Sequence, residues 1–262
     1  QVNAYTGTRS VIQYLAIPKY IGNTNTLNPA NARGGGVVQF DRKFYGANVH
    51  WIQPIESAPG ELVIISGLDF DQSRDNRHGY QNYNGDQLGV KGEMRRDEVD
   101  TARSLDPFVQ ANWAIDDWTL QAGLRYSTME MDVDDHFLSN GDASGTKRYE
   151  KATPSMSVMY AFTPQLHGYV SAGKGFETPT QAEMAYSPNN QGFNFGLKPS
   201  ESTQYEVGLK AQLDNTRINA AIFQITTEDE LVVAGSVGGR TSYQNAGRTL
   251  RRGFELGVES QL

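Results

Sequence analysis

Residues 204–212 read QYEVGLKAQ, and the nine letters alternate between two unlike sets. Tyr205, Val207, Leu209 and Ala211 suit an apolar surround, whereas Gln204, Glu206, Gly208, Lys210 and Gln212 do not. Successive side chains of a β-strand point to opposite faces, so a period of two gives such a strand one greasy side and one polar side. The same division recurs elsewhere. Val109, Ala111, Trp113 and Ile115 oppose Gln110, Asn112 and Ala114. Trp118, Leu120, Ala122, Leu124 and Tyr126 oppose Thr119, Gln121, Gly123, Arg125 and Ser127. Phe254, Leu256 and Val258 oppose Glu255, Gly257 and Glu259. A face that carries Arg125, Glu206, Lys210, Glu255 and Glu259 has to meet water or a polar protein element,.

Ten segments carry this pattern: 10–17, 36–54, 61–75, 104–115, 118–133, 151–163, 166–176, 202–213, 216–229 and 243–262. Many reach ten residues, whereas strands of soluble proteins average about 5 to 6 and tilted membrane strands need about 9 to 11. Four connections are tight: ESAPG at 56–60, DD at 116–117, TPQ at 163–165 and DN at 214–215. Long polar segments lie between them, at 18–35, 76–103, 134–150, 177–201 and 230–242. Short and long alternate strictly, which in an up-and-down meander gathers the tight turns at one end and the long loops at the other. Membrane β-barrels have that asymmetry. The spacing therefore predicts an all-β, antiparallel transmembrane barrel wall over 1–262, with a wet or hydrophilically plugged interior and no dry core. An Arg or Lys on the lipid side costs roughly 2–4 kcal/mol at the midplane, so the register of 202–213 is tightly specified.

Composition agrees by exclusion. Of 262 residues, 38% are apolar, with 27 Gly, 13 Tyr, 11 Phe and 3 Trp. No run approaches the roughly 18–20 apolar residues of a membrane helix. The net charge is −7 and the basic residues are dispersed, which argues against nucleic acid as a partner,. The chain has no cysteine, hence no disulfide and no thiolate metal site,. QVNAYTGTRS at its start has no charged-then-apolar signal pattern,. Trp51, Trp113 and Trp118 each fall within about five residues of a tight turn, and Tyr160 and Phe162 flank another. Such positions form an aromatic girdle at one membrane interface.

Four segments resemble the TonB-dependent outer-membrane transporters: DPFVQANWAIDDWTLQAGLRY (106–126), VSAGKGFETPTQAEM (170–184), LKPSESTQYEVGLKAQL (197–213) and YQNAGRTLRRGFELGVE (243–259). They match, in order, that family's paired strands ending in G-L-R-Y, its G-F-x-x-P-T, its L-K-P-E-x-S-x-x-x-E-x-G-x-K and its Y-x-N-x-G-x-x-x-x-x-G-x-E segments. Glu206, Gly208 and Lys210 stand at the inward-facing E-x-G-x-K. Ser200 departs from the usual Glu, with Glu201 displaced by one. The resemblance implies a 22-stranded outer-membrane barrel of which this chain supplies about ten strands. It also implies an N-terminal plug in the lumen and a TonB box driven by the inner-membrane TonB complex, neither of which is found in the 262 residues. An open ten-strand sheet leaves two unpaired edges, so the remaining strands and the plug are expected partners, together with outer-membrane lipid and lipopolysaccharide. Phages and bacteriocins are further candidate users of the loops. The run GGRTSYQNAGRTLRRGFELG resembles receptors for pyrroloquinoline quinone uptake first, with ferric-siderophore receptors close by.

Either ligand is a carboxylate-rich or otherwise anionic small molecule, which calls for Arg or Lys for pairing and aromatics for stacking. The long loops offer Arg33, Arg77, His78, Tyr80, Tyr83 and Arg240; the alternative for each is an ordinary solvated loop residue or a lipopolysaccharide contact. GKG at 173–175 lacks the Lys-Ser/Thr ending of a phosphate loop,. Asp132, Asp134 and Asp135 lack the glycine and distant Glu of a calcium loop,, and His50, His78, His136 and His167 show no ligand spacing,. No catalytic residue, cofactor or resident metal is assigned. Two rival classes are a ten-stranded outer-membrane enzyme, such as a surface protease, and a soluble β-sandwich binding module. The isolated His78 and His136 support the first poorly, and strand length and loop alternation speak against the second.

Overall fold

The computed structural model describes residues 1–17, 34–85, 87–187, 192–237 and 240–260. Ten strands form one sheet: β1 (Val2–Ile17), β2 (Gly34–Pro54), β3 (Glu61–Tyr80), β6 (Met94–Ile115), β7 (Trp118–Asp135), β8 (Gly145–Thr163), β9 (Leu166–Glu177), β10 (Ser200–Leu213), β11 (Thr216–Glu228) and β14 (Thr249–Ser260). Two small hairpins, β4 (Tyr83–Asn84) with β5 (Gln87–Leu88) and β12 (Leu231–Val237) with β13 (Arg240–Asn245), sit in long connections, as does the short helix α1 (Gln181–Met184). Spatial order follows chain order, with β1 and β14 at the edges. Every neighbouring pair is antiparallel. The meander and its tight turns are as the alternation predicts. Asp116 and Asp214 take left-handed conformations, with φ of 50° and 46°, the geometry that short hairpins require and that Asp tolerates better than most residues.

The strands reach further toward the long loops than the pattern suggests. β3 runs to Tyr80, β6 begins at Met94, and β8 begins at Gly145. Much of the expected loop 76–103 is therefore strand, and only the part between Tyr80 and Met94 connects. The last expected strand, 243–262, is two elements: Tyr243–Asn245 belongs to the β12–β13 hairpin, and the wall strand starts at Thr249. The expected loop 18–35 lies outside the described residues over 18–33.

Register places each side chain on one of two faces. Tyr205, Val207, Leu209, Ile222, Phe254, Leu256 and Val258 are all at least half exposed on one face. Trp51 (67% exposed) and Trp118 (47%) lie on that face beside the tight turns. The rings of Trp118 and Tyr160 are 4.6 Å apart, and those of Tyr160 and Phe162 5.3 Å. The Trp113 indole donates to the Pro59 carbonyl at 2.7 Å, as an aromatic at a wet interface should,. Large apolar side chains left this open are costly in water and favourable in lipid.

One expectation fails. The polar face is not polar throughout, because a small dry core sits on it at the long-loop end. Met131, Val133 and Tyr149 of the wall pack with Met184, Ala185, Phe193 and Leu197, all under 9% exposed. The hydrophobic phase of β7 inverts after Ser127: Met129, Met131 and Val133 take the face that Arg125 holds lower down, while Thr128, Glu130 and Asp132 take the other. Apolar side chains facing inward require a cover, and the segment carrying α1 supplies it.

Candidate functional site

The polar face is built in tiers. Lowest is the tier of the opening stretch. Gly208 pairs with Tyr169 of β9, and the tyrosine ring lies over it so closely that a Cβ at 208 would sit 2.5 Å from the ring. The Tyr169 hydroxyl donates to Glu206, and the Lys210 ammonium stands 5.1 Å from the ring centre. Each member of E-x-G-x-K thus answers one aromatic residue on the neighbouring strand: Glu accepts, Gly makes room, Lys lies against the π-face. On β14, Glu255 pairs opposite Ala221, and Glu259 lies 3.7 Å from Arg217.

Further along the sheet, Arg125 sits between Asp69 and Asp106, at 2.8 Å from each, and His50 is 3.0 Å from Asp69. Above it, Arg42 forks onto Asp75 at 2.7 and 2.6 Å. Arg77 meets Glu98 at 3.2 Å and Asp100 at 3.6 Å, while Arg96 meets Glu98 at 2.9 Å. Glu98 and Asp100 are 4% and 1% exposed. Carboxylates so buried persist only when cations answer them.

Arg96 also ties the wall to its cover. It donates to the Ala185 carbonyl at 3.2 Å and lies 4.8 Å from the Tyr186 ring and 5.8 Å from that of Phe193. Thr180 begins α1 with a capping box: its backbone N–H donates to Glu183 at 2.7 Å, and the Glu183 N–H donates back to its hydroxyl,. Pro179 and Met184 are fully buried beneath the helix. Asn245 then joins two distant motifs. Its side chain accepts from the Lys198 N–H at 2.8 Å and donates to the Lys198 and Asp229 carbonyls at 2.9 and 2.8 Å. The Asn of YQNAG therefore holds the Lys of LKPS in place.

Under this cover a cleft of about 520 Å³ opens between the upper ends of β9, β10, β11 and β14. Ser200, Ser202, Gln204, Thr227, Glu230 and Arg251 are among its lining residues. Hydrogen bonds from the Thr249 hydroxyl and the Arg251 guanidinium hold the Glu230 carboxyl below the ordinary carboxylate range,. The cleft falls within the roughly 300–1,000 Å³ of small-molecule sites, and it presents hydroxyls, an amide and a guanidinium to whatever enters.

The candidate ligand residues do not assemble as a group. Arg77 is on the polar face but already committed to Glu98 and Asp100. His78 takes the opposite phase of β3, 3.3 Å from Asp97 and stacked on Tyr80, whose ring carries Lys91 at 3.9 Å. Both Arg77 and His78 border a crevice of only about 60 Å³. Tyr83 lies in the β4–β5 hairpin. Arg240 opens β13, its side chain outside the described residues, as is all of Arg33. Ser200, Ser202, Gln204 and Arg251, which do line the larger cleft, were not singled out, although β10 parity puts the first three on the face of Glu206.

The comparisons bear on this architecture directly. Residues 3–262 match the family described as TonB dependent receptor-like, beta-barrel. Two curated relatives, the metal-pseudopaline receptors CntO of Pseudomonas aeruginosa strains UCBPP-PA14 and PAO1, are 26% and 25% identical over 176 and 175 residues. Each match covers 66% of this chain and 23% of the relative, so the chain spans about a quarter of their length. Among solved structures the fold is similar to the copper transporter OprC (TM-score 0.75, 16% identity, 100% of this chain and 42% of that one). It is also similar to the unliganded ferric citrate transporter FecA (0.70, 14%, 98% and 36%) and the siderophore receptor PiuA of Acinetobacter baumannii (0.68, 18%, 87% and 37%). With the tight turns at one end, the greasy face toward lipid and the charged tiers toward a lumen, the chain belongs to the TonB-dependent receptor β-barrel family and is part of the wall of an outer-membrane barrel.

Proposed function

We propose that the receptor containing this wall imports a small metal-chelate ligand across the outer membrane, energised through TonB. The observation that carries the reading is the match of two thirds of the chain to receptors named for metal-pseudopaline. The cleft beneath α1 supports it by size and by its hydroxyl, amide and guanidinium lining,. The strands that close the barrel, the plug and the TonB box belong to the same proposal. Pyrroloquinoline quinone is the second ligand, supported by the run 238–257 that contains Asn245 and Arg251. A binding titration of the full-length receptor in detergent decides between them, with ligand-dependent quenching of tryptophan fluorescence as readout. Iron-, zinc- and nickel-loaded chelates form one arm and pyrroloquinoline quinone the other. Saturation by a metal chelate, weakened at least tenfold by Arg251→Ala, is the expected result. Saturation by pyrroloquinoline quinone alone would overturn the metal-chelate reading.

A further inference from the structure

The outward face of the wall carries an unanswered pair of cations. Lys43 of β2 and Arg74 of β3 are directly opposite each other in the register. Both are exposed, and among the described residues neither meets a carboxylate. Like charges placed opposite across two strands repel and destabilise the pair. Arg103 of β6 lies diagonally beyond Arg74, since its neighbour Thr101 is the partner of Arg74. Arg103 is shared with Glu130 of β7. The side chains are outward by phase: Lys43 shares its face with Tyr45, Arg74 with Phe70, and Arg103 with Leu105. The Tyr45 and Phe70 rings are 5.9 Å apart on that face, and Tyr45 and Leu105 are 47% and 44% exposed.

Height identifies what they face. Lys43 is eleven residues from Pro54 at the foot of β2, Arg74 thirteen from Glu61, and Arg103 twelve from Ile115. At a rise of about 3.3 Å per residue and a tilt of about 40°, these lie roughly 28, 33 and 30 Å above the tight-turn end. The apolar band of such barrels is about 25 Å tall. All three therefore stand just above the hydrocarbon, in the headgroup layer of the outer leaflet, over an aromatic rim formed by Tyr45 and Phe70.

We propose that Lys43 and Arg74, with Arg103 beside them, bind a phosphate group of lipopolysaccharide, its acyl chains lying on the apolar strip of β2, β3 and β6 below. A phosphate between Lys43 and Arg74 turns their repulsion into two charge-assisted contacts, which explains why the wall places like charges in register here. No group titrating near neutrality is needed, and the site is independent of the ligand that the lumen transports.

The test compares the full-length receptor with a Lys43→Gln/Arg74→Gln variant and with Arg217→Gln, a cation removed at the opposite end. Lipopolysaccharide retained after purification is counted by native mass spectrometry. Each protein's unfolding temperature is then read in delipidated detergent micelles, with and without added lipopolysaccharide. The double variant is expected to retain at least fivefold less lipopolysaccharide, and Arg217→Gln to retain the parental amount. In delipidated micelles the double variant should unfold at the same or a higher temperature than the parent. Only the parent should gain stability from lipopolysaccharide, and enzymatically dephosphorylated lipopolysaccharide should give it little. Equal retention by parent and double variant overturns the proposal. So does equal stabilisation by the dephosphorylated lipid, by phosphatidylglycerol or by inorganic phosphate, since the site would then not read lipopolysaccharide phosphate.

Discussion

Gly208→Ala separates a generic expectation from the one this wall dictates. Glycine inside a strand is ordinarily the weaker choice, and replacing it by alanine should stabilise by about 0.5–1 kcal/mol through the unfolded chain. At position 208 the added methyl meets Tyr169 Cε1 and Cζ at 2.5 Å, where ordinary contact is 3.4–4 Å. The ring must swing outward by about 1 Å or more. In doing so it releases the hydroxyl bond to Glu206 and leaves the Lys210 ammonium. A hydrogen bond to a charged group contributes roughly 1.5–3 kcal/mol, and an open cation–π contact roughly 0.5–1. Both sit on a water-facing surface, so about half of the sum is a fair expectation. After the gain from removing glycine, the net effect is a loss of about 0.5–1 kcal/mol, opposite in sign to the generic case. Guanidinium unfolding of the full-length receptor in micelles, followed by tryptophan fluorescence, measures it. A cycle with Tyr169→Leu isolates the cause. Without the ring, Gly208→Ala should turn stabilising, a coupling of about 1–2 kcal/mol. If Gly208→Ala stabilises in both backgrounds, the account of E-x-G-x-K as a seat for Tyr169 is wrong.

Three further outcomes follow from the upper tiers. Arg125→Leu leaves Asp69 and Asp106 facing each other without their shared cation and should cost about 1–2 kcal/mol in the same unfolding assay, part-screened by lumen water, with Arg125→Lys recovering a portion. Arg96→Ala removes the tie to Ala185, Tyr186 and Phe193; hydrogen exchange should rise at least tenfold over 181–187 and 192–197, while β7 and β8 below the dry core keep their protection. The Glu230 carboxyl is held below its unfolded value, so its clamp on Thr249 and Arg251 is fully present above about pH 4.3, the unfolded value, and is lost as pH falls through the lower folded one. A spin label at Val233→Cys should gain mobility on acidification below that point, and Glu230→Gln should be mobile and insensitive throughout.

The wall was legible because its physics is local. Alternation needs only a strand, and tight turns need only DD, DN or ESAPG, so the ten wall strands and their faces could be read directly. Their upper ends could not, since above the hydrocarbon both faces meet water or loop, and the contrast that marks alternation fades. Stopping β3 at residue 75 then hid the parity that separates Arg77 from His78. MEMDVDD did carry a signal: its apolar letters change phase against the Leu120–Tyr126 stretch, which already demanded an inward cover. What supplies that cover was not readable. It depends on Met184, Phe193 and Leu197 finding Tyr149, and on Asn245 finding Lys198, pairs separated by 35 to 48 residues of chain with no repeating pattern between them.

The like-charged cross-strand pairs of the two faces are relieved in different ways, and the difference is informative. On the lumen side Arg42, Arg77, Arg96 and Arg125 each meet at least one carboxylate of the same wall. Each of these pairs answers a carboxylate that burial would otherwise penalise, and one of them, through Arg96, also fastens the cover,, while Arg9 and Lys210 on the same face lie against the rings of Phe40 and Tyr169,. The outer face has no such need below the headgroup layer, where it carries Tyr45, Phe70 and Leu105 over β2, β3 and β6. Immediately above them, Lys43 and Arg74 stand without an internal answer. Had the wall been selected for the stability of the isolated sheet, a Glu at either position would remove the repulsion and add a cross-strand pair of about 0.2–1 kcal/mol. The inward like-charged pair, Arg9 opposite Arg42, is relieved by Asp75 and by the Phe40 ring that both guanidiniums lie over; the outward pair of Lys43 and Arg74 has neither, and its missing anion comes from the membrane.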